Sequence, residues 1–173
     1  VYNRGSAADW DALVELGNPG WGWDTMLPIY RGIENHQLGT DPTRGVGGPL
    51  GISVDVNRPL LCDEMISAGT TLGWSTTDDM NASDDERIGP AARTIWKGQR
   101  VSSARAFLHP VAKRSNLTVA VNTTARRVLF EGDKAVGVET VTARGTLADF
   151  TASREVILSL GSIGTPKILQ LSG

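Results

Sequence analysis

The chain has 173 residues, 40% hydrophobic and 21% charged, enough for one sizeable core or two smaller units in a globular protein. A net charge of -2 argues against a polyanionic partner such as nucleic acid, whose binders carry a basic stripe. No apolar run approaches the ~20 residues of a transmembrane helix, and a single cysteine permits no internal disulfide.

The first third reads as helical. Ser6 is placed to cap a helix with Asp9 at the capping-box position; Trp10, Leu13 and Val14 share one face, and Gly17 closes it. NPGWGW then turns the chain, and Asp24 is expected to cap a second helix carrying Met26, Leu27, Tyr30 and Ile33, with Pro28 tolerated in or near the first turn. The tryptophans at 10, 21 and 23 are read as packing this corner, with a sugar-stacking platform as the alternative. His36 falls in the loop that follows and has no evident chemical role.

Residues 39–51 form a Gly-rich loop leading into a strand at Leu50–Val56. GVGGPL begins like a dinucleotide fingerprint, but no strand is expected before it and Leu50 stands where the third Gly belongs. Arg58-Pro59 starts a helix reaching Leu72 and closed by Gly73; Cys62, among Leu60, Leu61, Met65 and Ile66, is expected to be a buried, inert thiol. In TTDDMNASDDERIGP, Asp79, Asn81 and Ser83 have calcium-loop spacing. Asp84 replaces the required Gly and Pro90 the closing Glu, so the stretch reads as a solvated loop. Ser102 or Ser103 caps a further helix, SARAFL, ending near His109-Pro110. With one Cys and two His, neither a structural zinc site nor a Ser-His-Asp triad has its parts.

From Leu117 the pattern changes to strands: LTVAV, RRVLF, AVGVETV, TLADF and EVILSL, with turns at EGDK and ARG. VILSL is apolar without alternation, as in a strand buried on both faces of a parallel sheet. Gly161 permits a sharp turn, and Thr165-Pro166 supply an N-cap and first residue for a closing helix whose free N–H groups suit an anion or nucleotide. An ordinary βα corner would have the same residues.

Taken in order, these motifs resemble the glucose-methanol-choline (GMC) flavoprotein oxidoreductases over nearly the whole chain. The carriers are VYNRGSAADWDALVELGNPGWGWDTMLPIYRGIE, GGPLGISV, TIWKGQRVSSARAFLHP, NLTVAVNTTARRVLFEGDKAVGVE and GSIGTPKILQLSG. The resemblance implies an α/β (α+β) fold: part of a Rossmann-like FAD-binding domain with a β-meander, plus part of an antiparallel-sheet substrate domain. It implies an FAD-associated helical segment at 1–48, a partial substrate domain at 49–100 and a partial FAD domain at 101–173.

It also implies FAD as cofactor and an alcohol as substrate, with hydride passing from the CH–OH carbon to flavin and oxygen or a quinone as open choices of acceptor. Val1, Ala125, Gly161 and Ser162 match positions near the cofactor; Ala125 stands where the family usually has Val and would act through its backbone. The family's dinucleotide fingerprint and catalytic His pair have no counterpart here, since neither His36 nor His109 lies in a matching motif; the segment is therefore expected to be internal to a longer enzyme and inactive alone. A hydroxynitrile lyase of the same fold and a non-catalytic carbohydrate module stand as alternatives. Triplets N-x-[ST] at Asn81, Asn116 and Asn122 would permit glycosylation in a secreted protein, although the reading leans to a cytoplasmic one.

Overall fold

A computed structural model describes residues 1–55 and 57–173, which divide into two compact units, Val1–Arg114 and Ser115–Gly173. The first unit opens with an irregular segment and helix α1 (Ala7–Glu15). Ser6 Oγ accepts from the Asp9 N–H while the Asp9 carboxylate accepts from the Ser6 N–H, so the expected capping box is present. Helix α2 (Trp23–Ile33) starts earlier than expected. Gly22 is its cap, Asp24 lies in the first turn where a negative charge complements the helix dipole, and Pro28 falls beyond that turn.

Helix α2 runs directly into strand β1 (Glu34–His36), which pairs in parallel with β2 (Leu50–Ile52) in the register Glu34↔Leu50, Asn35↔Gly51, His36↔Ile52. His36 is thus a buried strand residue, not a loop residue. The predicted strand from Leu50 keeps a ladder only to Ile52, continues as the Ser53↔Arg93 bridge, and its last residue, Val56, lies outside the described residues. The Gly-rich loop returns the chain so closely that a Cβ on Gly45 would lie 1.8 Å from the Arg31 carbonyl oxygen.

Helix α3 (Leu60–Thr71) follows, with Pro59 as cap and Gly73 beyond its end in the left-handed region. Cys62 is exposed, contrary to expectation: the helix turns Gly69 toward Ile88 and leaves Leu60, Leu61 and Cys62 outward. The polar stretch after it is not wholly solvated. It holds the short parallel pair β3 (Ser75–Thr76) and β4 (Arg87–Ile88), and Asp79 is buried. A hairpin of β5 (Ile95–Trp96) and β6 (Gln99–Arg100) precedes a π-helical turn, Ala104–Leu108, that tightens to a 3-10 turn at His109–Val111. The Ser102 hydroxyl accepts from the Arg105 N–H there, so Ser102 is the side-chain cap. Leu50, Ile52, Val54, Ala92, Val101 and Ala106 form the core of this unit.

The second unit is a meander, β7 (Thr123–Glu131), β8 (Lys134–Thr142) and β9 (Leu147–Thr151), followed by helix α4 (Gly161–Gln170). Both expected turns are present. Residues 117–121 and 156–160 form no strand, and Ile157 and Leu160 are exposed. An apolar run becomes a strand only when a neighbour satisfies its N–H and C=O groups, and among the described residues none pairs with either stretch. Helix α4 begins at Gly161 rather than Thr165, whose hydroxyl instead reaches back to accept from the Leu160 N–H at 3.2 Å.

Candidate functional site

In the second unit, the face of the meander that carries Ala125 is set by a bulge. Ala125 pairs with Thr140 but Arg127 with Glu139 and Val128 with Val138, so Arg126 is an extra residue on β7. Side chains alternate across a regular strand; the inserted residue shifts that phase and puts Val128 on the same face as Thr123 and Ala125. It also brings both Arg126 and Arg127 to Glu139, each at 3.1 Å, one guanidinium to each carboxylate oxygen. This bulge left no signal in the hydrophobic pattern.

Thr123, Ala125, Val138, Thr140 and Phe150, with Thr118 and Ala120 from the unpaired stretch, line a cleft of about 320 Å³. The Thr140 hydroxyl donates to the Ala148 carbonyl and that of Thr123 to the Val121 carbonyl. Their protons are thereby committed, and the oxygens can only accept. Half-exposed Phe150 adds a flat apolar surface. Such a cleft is chemically suited to a planar ring bearing an amino donor.

Helix α4 is seated on the open edge of β7 by the Val128 N–H, which donates to Ser172 Oγ at 2.8 Å, and by buried Ile168. At its other end, Gly161 and Ser162 are exposed. Gly161 has φ +83 and a Cβ there would meet nothing within 4 Å, so backbone conformation, not crowding within this chain, accounts for glycine. Ala125 faces the cleft; neither Gly161 nor Ser162 lines it.

Val1, the remaining sequence candidate, belongs to the first unit and is 92% exposed. Beside it lies a buried polar centre that sequence reasoning missed. The Arg4 and Glu34 side chains, each 1% exposed, form an ion pair at 3.3 Å, and Glu34 also accepts from the Tyr2 hydroxyl at 2.7 Å and the Gly45 N–H at 3.0 Å. Arg4 donates to the carbonyls of Thr43 and Asn81. Burial and the adjacent carboxylate raise the Tyr2 pKa, so its phenol remains a donor. Arg44 bridges Asp79, at 3.1 Å, and Asp41. His36 Nδ1 accepts from the Leu38 N–H at 3.2 Å; burial lowers its pKa and keeps it neutral. The one available signal was a Glu placed directly after the apolar stripe of α2.

The other histidine, His109, ends its helix exposed. Two of the three tryptophans pack the helix corner: Trp10 stacks on Trp21 at 6.2 Å, meets Tyr30 edge-on, and donates its indole N–H to the Arg4 carbonyl. No group of His, Cys, Asp and Glu among the described residues has metal-site geometry, and no described helix is long and apolar enough to cross a membrane.

The chain as a whole is similar to known proteins. An oxygen-dependent choline dehydrogenase of Photobacterium profundum is 41% identical over the whole chain, and the mitochondrial choline dehydrogenase of Homo sapiens 42%. The chain spans 31% and 29% of their lengths, respectively. Among solved structures, pyridoxine 4-oxidase from Mesorbium loti superposes with a TM-score of 0.91 at 34% identity, over 99% of this chain and 34% of that one. An FAD-dependent oxidoreductase from Chaetomium thermophilum gives 0.89 at 29% identity, over 100% and 32%. The sequence profile of GMC oxidoreductases matches residues 1–173. This chain belongs to the GMC oxidoreductase family.

Proposed function

We propose that this chain is the part of an FAD-dependent alcohol oxidoreductase that seats the adenosine end of the cofactor and contributes one wall of the substrate domain. The observation that carries the reading is the family match along all 173 residues, with relatives named choline dehydrogenase at 41% and 42% identity. In this reading residues 1–48 and 101–173 serve the FAD domain and 49–100 the substrate domain. Val1, Ala125, Gly161 and Ser162 are the cofactor contacts.

The meander cleft fits the group. Its threonine oxygens can accept from an exocyclic amine, Phe150 offers a flat face, and the short side chain of Ala125 leaves its backbone within reach. The left-handed turn at Gly161 leaves the start of α4 open to a negatively charged group. Bound FAD would supply the hydride acceptor for the alcohol carbon. Neither His36, buried and neutral with Nδ1 engaged, nor exposed His109 is assigned the role of base. The family match over all 173 residues supports the flavoprotein reading over the carbohydrate-module alternative.

The test is to purify the full-length protein that carries this segment, saturate it with FAD, remove free flavin, and record the visible spectrum with and without choline and other alcohols under anaerobic conditions. Retained flavin that bleaches on adding an alcohol is expected. A colourless protein would overturn the assignment. Gly161→Val should weaken flavin retention; unchanged FAD affinity would remove Gly161 from the site.

A further inference from the structure

We infer that Tyr2, Arg4, Glu34 and Asn81 form a clamp that dictates how the N-terminal segment presents Val1, which makes them positioning residues for the cofactor contact proposed above; the inference rests on that reading. Residues 1–5 belong to no helix or sheet, so no regular ladder fixes them. They are fixed nonetheless. The Tyr2 N–H donates to the Ala92 carbonyl at 2.6 Å, the Asn81 side-chain amide donates to the Tyr2 carbonyl at 3.3 Å, and the Arg4 N–H donates to Asn81 Oδ1 at 3.0 Å. One asparagine thus holds the backbone on both sides of Asn3.

Side chains complete the hold. Tyr2 and Arg4 turn inward to Glu34, while Val1 and Asn3 turn out. Anchoring positions 2 and 4 therefore orients position 1.

The chemistry of the anchor favours positioning over adhesion. Removing two charges from water offsets most of their attraction, so a buried ion pair is a poor source of stability compared with apolar packing of the same volume. Apolar packing has no directionality. The hydrogen bonds converging on Glu34 and radiating from Arg4 are directional, and they join the N-terminal segment, the Gly-rich loop at Thr43 and Gly45, and the loop at Asn81.

The experiment compares the full-length parent with Tyr2→Phe, which removes one hydroxyl, and Asn81→Ala, which frees the backbone. Circular dichroism establishes that each variant is folded. Two readouts follow: hydrogen-exchange protection of the Tyr2 and Arg4 amides without cofactor, and the FAD dissociation constant together with the flavin visible band at saturating FAD. Protection of the Arg4 amide, which loses its hydrogen bond to Asn81, is expected to fall about tenfold in Asn81→Ala, and the FAD dissociation constant to rise about fivefold to tenfold in each variant, with an altered flavin band. Unchanged amide protection in folded Asn81→Ala overturns the clamp. Lost protection with an unchanged dissociation constant and band overturns the positioning role and leaves the flavoprotein reading intact. A parent with protected amides that retains no FAD removes the cofactor reading, and the positioning role with it.

Discussion

Residues 1–114 tie their loops and short strands together with buried charge, and residues 115–173 are held by strand ladders. In the first unit the strands are two or three residues long, and the segments between them converge on Arg4, Glu34, Arg44 and Asp79. In the second, β7 and β8 pair along nine-residue strands, the charged residues that flank them lie at the surface, and only Val128, Thr140, Ile168 and the glycine of β8 are buried. A charge network fails when one member is removed, because its partner stays buried and unsatisfied. A ladder spreads its loss over many equivalent bonds.

Single substitutions should expose that contrast most sharply at Glu34. Glu34→Ala strands the Arg4 guanidinium, the Tyr2 hydroxyl and the Gly45 N–H, and should cost about 3–5 kcal/mol in urea unfolding. A loss below about 1 kcal/mol would break the comparison. Gly45→Ala comes next. Its Cβ would overlap the Arg31 carbonyl, a main-chain atom that cannot rotate away, and about 3 kcal/mol is expected from the same measurement. In the second unit, Val128→Ala removes two methyl groups from a small core and should cost about 2 kcal/mol.

Acidification gives a smaller and more selective effect. His36 is buried, and its folded pKa lies below the ordinary value of 6.5. Below that pH the unfolded chain takes up a proton that the fold refuses, so stability falls as pH drops from 6.5, by at most about 1.4 kcal/mol per pH unit for one group. His36→Asn should flatten that dependence in thermal unfolding followed against pH, while the second unit contributes no histidine to it. The smallest change belongs to the surface of the meander. Arg127→Ala leaves Arg126 on Glu139 and should alter stability by less than about 1 kcal/mol, screened further by salt.

What could be read from the sequence was whatever depends on neighbours in the chain. The Ser6–Asp9 capping box, the glycine stops at Gly17 and Gly73 and the turns of the meander all rest on contacts a few residues apart, and they stand where expected. Pairings over longer distances were invisible. Glu34 and Asp79 look like surface carboxylates until the fold brings Arg4 and Arg44 to them, and His36 looks like a loop residue until β2 pairs beside it. The apolar run at Val156–Leu160 misled in the opposite direction, because composition records an appetite for burial and not whether a neighbour is present.

The Arg4–Asn81 contact also sets an order of events during synthesis. The Arg4 N–H and the carboxamide that accepts it are 77 residues apart. A ribosome adding roughly 5–20 residues per second needs about 4–15 s to make the second partner after the first. The hairpin of β7 and β8 closes through a two-residue turn and can form within about 1–10 μs of emerging. The opening segment, including a charged side chain destined to be buried, therefore waits in solvent for seconds.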